Sequence, residues 1–140
     1  MSVEEQRQEA GRWLLQAKAD LRAAEGSLTL GSFEWVCFQA QQAGEKALKA
    51  LWYYHSEEPW GHSLTKLIDD FPIEPVRAGL ECHSDRAKAL DKLYIPTRYP
   101  NGLPDLTPSE AYTETEARNA INAARAIIDD ISAQMTEQNC

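Results

Sequence analysis

Apolar residues recur at alternating steps of four and three along the first part of the chain, from about Glu4 to Leu28. This spacing places them on one stripe of an amphipathic helix. The stripe consists of Ala10, Leu14, Ala17, Leu21, Ala24 and Leu28. Gly31 is suited to a left-handed C-cap, and Ser32 to the N-cap of the next helix. So short a connection predicts that the first two helices are antiparallel neighbours.

The second predicted helix spans Phe33 to Tyr54 and has a wider apolar arc. Its main row is Phe33, Val36, Ala40, Ala43, Ala47, Ala50 and Tyr54, widened by Cys37, Gly44, Leu48 and Leu51. A wide arc predicts a central helix that contacts more than one partner. The many small residues predict close approach of the neighbouring backbones.

Shorter helices are predicted in the middle of the chain. Ser63 is a plausible N-cap for a third helix that Pro72 stops. A fourth helix is expected between Pro75 and Tyr94, with an interruption near His83-Ser84. Four prolines and one glycine between Ile95 and Pro108 predict a long loop.

The last helix is marked at its start and along its length. Thr113 and Glu116 fit a capping box. The apolar stripe that follows is Ala117, Ile121, Ala124, Ile128, Ile131 and Met135. Together the segments predict an all-α, antiparallel up-and-down bundle of about five helices. We expect one domain over residues 1–136, with a frayed tail at 137–140.

Composition and charge narrow the functional classes. The chain is 43% hydrophobic and 26% charged, typical of a globular domain. Its apolar runs are far shorter than the roughly 20 residues of a membrane span, and the polar start lacks signal-peptide features. We therefore expect a cytoplasmic protein without membrane contact. A net charge of −8 argues against broad binding to a nucleic-acid backbone but is compatible with a small basic pocket.

Metal and cofactor sites are not predicted. The cysteines show no C-x-x-C pairing, the histidines lack metal-ligand spacing, and no Glu-x-x-His pair of a di-iron bundle is present. The residues concerned are Cys37, Cys82, Cys140, His55, His62 and His83.

Three patches together resemble a known family. They are residues 38–50 (FQAQQAGEKALKA), His62-Ser63-Leu64, and residues 90–94 (LDKLY) leading into 97–100 (TRYP). In order and spacing they are similar to the HEPN domain, named for higher eukaryote and prokaryote nucleotide binding. The resemblance covers nearly the whole chain. It implies a bundle of about five helices, usually a homodimer, often encoded beside a small nucleotidyltransferase.

Many members of the wider superfamily are endoribonucleases, including toxins of toxin–antitoxin pairs. Their signature is an arginine, a polar residue, and a histidine four to six residues after the arginine. Arg98 is not followed by such a histidine. Arg77 has His83 six residues later, but Ala78 occupies the polar position. The ribonuclease hypothesis is weakened, because metal-free RNA cleavage needs a base and a cation that converge on the reacting phosphate.

Five residues are the candidate ligand contacts: Arg98, Tyr99, His62, Lys46 and Lys49. Arg98 beside Tyr99 is suited to grip a phosphate or stack on a base. The alternative is that Arg98 ties the loop to an acid such as Asp91 or Glu45 while Tyr99 closes the core.

The other three candidates also have structural alternatives. His62 lies at a helix start that favours anions, or it simply packs in its loop. Lys46 and Lys49 share a helix face that is able to present two positive charges, but Glu45 and Lys49 also fit an i,i+4 ion pair.

Our leading hypothesis is a non-catalytic or weakly catalytic domain that binds a nucleotide or RNA end in a small basic pocket. One alternative is an interaction partner of a small nucleotidyltransferase, as in a toxin–antitoxin pair. Another is an endoribonuclease toxin. The family resemblance and the wide apolar arc of the second helix also predict a homodimer.

Overall fold

In the computed structural model, which describes residues 1–137, the chain folds into seven α-helices without a strand in that range. They are α1 (Val3–Leu30), α2 (Phe33–Tyr54), α3 (Leu64–Asp69), α4 (Glu74–Leu80), α5 (Ser84–Asp91), α6 (Pro108–Ala111) and α7 (Glu114–Glu137). Short 3-10 turns occupy Glu81–His83 and Pro100–Gly102. The predicted frayed tail at 137–140 lies outside the described residues, apart from Glu137, which ends α7.

The connection between α1 and α2 has the predicted glycine cap. Gly31 adopts the left-handed conformation with φ of 77°, and its N–H donates to Leu28 O at 3.1 Å. A side chain at this φ would be strained, so glycine suits the position. Ser32 directly precedes α2, but its side chain makes no capping hydrogen bond. Ser32 is therefore the N-cap residue, as predicted, but it caps the helix without a side-chain hydrogen bond.

The long helices α1 and α7 are antiparallel. Lys18 Nζ donates to Ser132 Oγ at 3.1 Å, and Arg125 Nη2 donates to Glu25 Oε1 at 2.8 Å. As the residue number rises along α1, the number of its partner on α7 falls. The two helices therefore run in opposite directions.

The remaining pairs complete an up-down-up-down order. Tyr54 at the end of α2 donates from its hydroxyl to Met135 O near the end of α7 at 3.0 Å, so α2 and α7 run in the same direction. His83, just before α5, contacts Asp130 late in α7, whereas Leu93, just after α5, lines a groove with Glu116 early in α7. This contact pattern makes α5 antiparallel to α7 and confirms the predicted bundle.

The core is built around α2, as its wide apolar arc predicted. Gly44 is the point of closest approach, since a Cβ there would lie 2.8 Å from Leu64 Cδ2 and 3.1 Å from Leu90 Cδ1. Both leucines are fully buried. The absence of a side chain at Gly44 therefore lets α3 and α5 pack against α2.

The middle helices follow the predicted pattern with two differences. The Ser63 cap is confirmed, because its Oγ accepts from Lys66 N at 3.2 Å. The interruption near His83 is also present, as a 3-10 turn between α4 and α5. However, the helix ends at Asp91 instead of Tyr94, and the proline-rich loop contains the one-turn helix α6. Prolines limit the loop to short turns because they supply no backbone N–H.

The start of α7 is confirmed as a capping box. Thr113 Oγ1 accepts from Glu116 N at 3.1 Å, and Glu116 Oε1 accepts from Thr113 N at 3.1 Å. Every residue of the predicted apolar stripe on this helix is buried. Within residues 1–137, none of the helices has both the length and the apolar character needed to cross a membrane.

Candidate functional site

Arg98 lies in the loop after α5 with its guanidinium among aromatic rings. Its Cζ is 4.4 Å from the ring centre of Phe38, 4.8 Å from that of Tyr94 and 5.3 Å from that of Tyr99. Its Nε donates to Tyr94 O at 3.0 Å. These distances are those of cation–π contacts.

Arg98 has no carboxylate partner within the described part of the chain. The alternative that it ties the loop to Asp91 or Glu45 was therefore wrong, because both acids are engaged with other groups. Tyr99 does not close the core either, because its ring is exposed. Arg98 thus keeps its charge uncompensated at a half-buried position.

The ring of His62 extends this group of aromatic side chains. It stacks on Tyr94 with the ring centres 5.1 Å apart and an angle of 17° between the planes. Tyr94 in turn contacts Phe38, and Phe38 contacts Trp35, at 6.4 and 6.1 Å between ring centres. We call this series of four rings, Trp35, Phe38, Tyr94 and His62, the aromatic ridge. Arg98 lies against its centre.

A buried carboxylate holds one end of the ridge. Glu45 is only 4% exposed, and its Oε2 lies 3.1 Å from Lys49 Nζ and 3.3 Å from His62 Nδ1. Its Oε1 accepts from Gln41 Nε2 at 3.1 Å. Gln41 also donates to His62 O at 3.3 Å. A buried charge is tolerated only when it is paired and hydrogen-bonded, so this network fixes His62 on Tyr94.

The two candidate lysines are already paired within the chain. Lys46 lies 2.5 Å from Asp20 on α1. Lys49 contacts Glu45 and lies over the ring of Trp13, with 5.7 Å from Nζ to the ring centre. The i,i+4 pair that was the alternative for Lys49 is present. The chain therefore compensates both charges, and the two lysines do not join Arg98 in one basic pocket.

The start of α3 is filled by the side chain of Asp91, which the sequence pattern does not place there. Asp91 Oδ1 accepts from Leu64 N at 2.7 Å, and its Oδ2 accepts from Thr65 N at 3.1 Å and from Ser63 Oγ at 2.9 Å. Helix starts attract anions. Here the anion is the protein's own carboxylate, so His62 does not stand beside a vacant anion site.

The second arginine–histidine pair considered from the sequence does not converge on one point. Arg77 Nη1 donates to Phe71 O at 2.8 Å, and His83 Nε2 lies 2.7 Å from Asp130 Oδ2. The two side chains thus point to different partners. This arrangement agrees with a chance match to the ribonuclease signature.

The chemistry available at the ridge is recognition by stacking and by one cation. Exposed ring faces bind planar bases, and a guanidinium binds phosphate oxygens in a planar, bidentate manner. Of the three cationic candidates Arg98, Lys46 and Lys49, Arg98 alone has no carboxylate partner among the described residues. The site is therefore suited to a small aromatic ligand with few phosphates.

Comparison with known proteins assigns the family. A family model described as the HEPN domain matches residues 10–134. Human sacsin is 30% identical over 125 residues, which are 86% of this chain but only 3% of sacsin. The crystal structure of TT1696 from Thermus thermophilus is similar, with a TM-score of 0.82 and 42% identity over 89% of this chain and 96% of that one.

Two further solved structures are similar to the whole bundle. An archaeal HEPN homologue has a TM-score of 0.75 and 34% identity, covering 90% of this chain and 97% of its own. A HEPN domain protein from Thermotoga maritima has a TM-score of 0.68 and 30% identity, covering 89% of this chain and 98% of its own. The family resemblance drawn from the three sequence patches is confirmed, and the chain belongs to the HEPN domain family.

Proposed function

We propose that this chain binds a nucleotide or the end of an RNA strand at the aromatic ridge, without cleaving it. The observation that carries the proposal is the guanidinium of Arg98, which lies against three rings and has no carboxylate partner in the described residues. Arg98, His62 and Tyr99 contact the ligand in this proposal. Lys49 acts indirectly through Glu45, and Lys46 stays with Asp20.

The stacking surface supports a base as the ligand. Trp35, Tyr99 and His62 are all exposed at the ridge or beside it. A base stacked on an aromatic side chain contributes about 1–3 kcal/mol. Hydrogen bonds to a charged partner contribute about 1.5–3 kcal/mol. One stacked base and one phosphate held by Arg98 together contribute about 2.5–6 kcal/mol, the range of dissociation constants from roughly 10 mM to tens of micromolar.

Fluorescence anisotropy with a labelled, 5′-phosphorylated RNA tetramer tests the proposal, with ATP and GTP as competitors. Arg98→Ala should weaken binding by about 10- to 100-fold, since it removes a charge-assisted contact. Arg98→Lys should restore little of it, because lysine lacks the planar guanidinium. The matched control is Arg125→Ala, which removes a partly exposed arginine paired with Glu25 and should leave binding unchanged.

Salt dependence distinguishes this site from a basic pocket. For single strands, the slope of log K against the logarithm of the salt concentration is about −0.7 per neutralised phosphate. Binding by Arg98 alone therefore predicts a slope of about −0.7. Binding by Arg98 together with both lysines predicts a slope of about −2. Equal affinity in wild type and Arg98→Ala, or no binding of any probe, would refute the proposal. Cleavage of the tetramer that is lost in Arg98→Ala would instead establish the ribonuclease alternative.

A further inference from the structure

A second cluster of reactive side chains lies away from the aromatic ridge, where α4 and α5 meet α7. Cys82 and His83 belong to the 3-10 turn between α4 and α5, and Asp130 lies on α7. Their sulfur, nitrogen and oxygen ligand atoms all lie within 4.8 Å of one another. His83 is only 4% exposed, Asp130 is half-buried, and Cys82 is exposed.

Hydrogen bonds hold the imidazole of His83 in a defined form. Arg86 Nη1 lies 3.2 Å from His83 Nδ1, and a guanidinium only donates, so Nδ1 is an acceptor. Nε2 then carries the ring proton and donates to Asp130 Oδ2 at 2.7 Å. Gln134 Nε2 donates to the other oxygen of Asp130 at 3.3 Å. Both ring nitrogens of His83 are thus engaged, Nδ1 by Arg86 and Nε2 by Asp130.

We propose that Cys82, His83 and Asp130 form a binding site for a divalent transition-metal ion of the zinc type. Thiolate, imidazole and carboxylate are zinc ligands, with bond lengths of about 2.0–2.3 Å. Ligand atoms of a tetrahedral ion are then about 3.3–3.8 Å apart, so shifts of roughly 1 Å or less gather the three side chains. Water takes the fourth position, as in zinc sites with three protein ligands.

The charges balance when the ion binds. The Cys82 thiol releases its proton to solvent, and the thiolate and the Asp130 carboxylate together neutralise the two positive charges of the ion. Asp130 lies on the Nε2 side of the ring, so Nε2 binds the ion, and the ring proton moves to Nδ1 by exchange with solvent. Arg86 must leave Nδ1, and its exposed position allows the side chain to turn to solvent. The bound ion joins the junction of α4 and α5 to α7.

The sequence did not reveal this site because the third ligand is distant along the chain. Asp130 lies 47 residues after His83, and no C-x-x-C or His-x-x-x-His spacing is involved. The other proposed ligand, Cys82, directly precedes His83 in the sequence. Only the packing of α7 against the turn between α4 and α5 brings the Asp130 carboxylate next to Cys82 and His83.

Titration of the full chain with Co²⁺, a spectroscopic substitute for Zn²⁺, tests the proposal. We expect saturation at one equivalent, with a thiolate-to-cobalt charge-transfer band that Zn²⁺ abolishes by competition. Cys82→Ser should remove that band, and Asp130→Asn should weaken binding by about tenfold or more. The matched control is Cys140→Ser, which changes the terminal cysteine and should leave the titration unchanged.

Thermal unfolding with and without Zn²⁺ gives a second measurement. An ion that binds the folded chain raises its melting temperature, so Zn²⁺ should stabilise the wild type but not Cys82→Ser. Since Cys82 is exposed, this variant should melt like the wild type in the presence of a chelator. A charge-transfer band retained in Cys82→Ser or lost in Cys140→Ser, or the absence of saturable Co²⁺ binding, would overturn the proposal.

Discussion

The buried carboxylate of Glu45 gives the sharpest test of how the ridge is held. We consider Glu45→Gln, which preserves shape and removes the negative charge. The new amide oxygen still accepts from Gln41, but the amide N–H group faces the Lys49 ammonium, where two donors oppose each other. Lys49 then becomes a buried, unpaired cation. The change should therefore destabilise the fold and release His62.

The size of the effect follows from burial. Removing one partner of a buried ion pair costs about 3–5 kcal/mol. The Lys49 side chain is 11% exposed and partly reaches water, so we expect about 2–3 kcal/mol. For a chain of 140 residues the unfolding entropy is about 0.3 kcal/mol/K, which converts that loss into a fall in melting temperature of roughly 7–10 °C.

A double-mutant cycle measures this pairing directly. Lys49→Met fills the same space against Trp13 without a charge, and on its own leaves Glu45 with His62 and Gln41 as partners. In Glu45→Gln/Lys49→Met neither charge remains, so we expect stability within about 1 kcal/mol of the wild type. Urea unfolding of the four proteins gives the coupling energy. A Glu45→Gln variant within about 0.5 kcal/mol of the wild type, or a double variant as unstable as the sum of the singles, would refute the reasoning.

Three further predictions concern the core and its titratable groups. Gly44→Ala should destabilise by about 1–2 kcal/mol by urea unfolding, because the new methyl group meets Leu64 and Leu90, whereas Gly26→Ala in open space should stabilise by up to about 1 kcal/mol. Burial and then Arg7 lower the pKa of His55 below 6.5, so the folded chain takes up this proton less readily than the unfolded one. The melting temperature should therefore decrease as the pH is lowered from about 6.5. The decrease should be less steep in His55→Gln, and an equal dependence of melting temperature on pH in the two proteins would contradict this. Burial raises the pKa of Cys37 to about 12, so a thiol reagent at about pH 8 should label Cys82 but reach Cys37 only after unfolding; labelling of native Cys37 would contradict this.

Much of the fold was predictable because helical periodicity is a local signal. The start of α2 at Phe33 and the capping box at Thr113 follow from residues a few positions apart. The end of α5 at Asp91 was missed, and so was the role of its side chain. Asp91 Oδ1 accepts from Leu64 N at the start of α3, a contact between two separate helices that helical periodicity does not display.

The sequence indicated which residues belong to the candidate site, but not which of their charges are paired with carboxylates elsewhere in the chain. The family patches contain Arg98, His62 and Lys49, and the structure brings Arg98 and His62 together on Tyr94. Lys46 separates from them because Asp20, 26 residues earlier, is its partner. Spacing along a helix shows which side chains share a face. It does not show which carboxylate of another helix will neutralise them.

The pairing of both lysines with carboxylates changes which kind of ligand we expect at the ridge. A pocket with several free lysines would select for phosphate charge, and its affinity would fall steeply with salt. If the proposed function holds, a ridge with one free cation among the described residues, lying against three rings, would instead select for a planar group, because stacking needs a flat ring and not a particular number of phosphates. The net charge of −8 acts in the same direction, since it disfavours the approach of long polyanions. Short single-stranded ends and mononucleotides are therefore the ligands most compatible with both the site and its acidic surroundings.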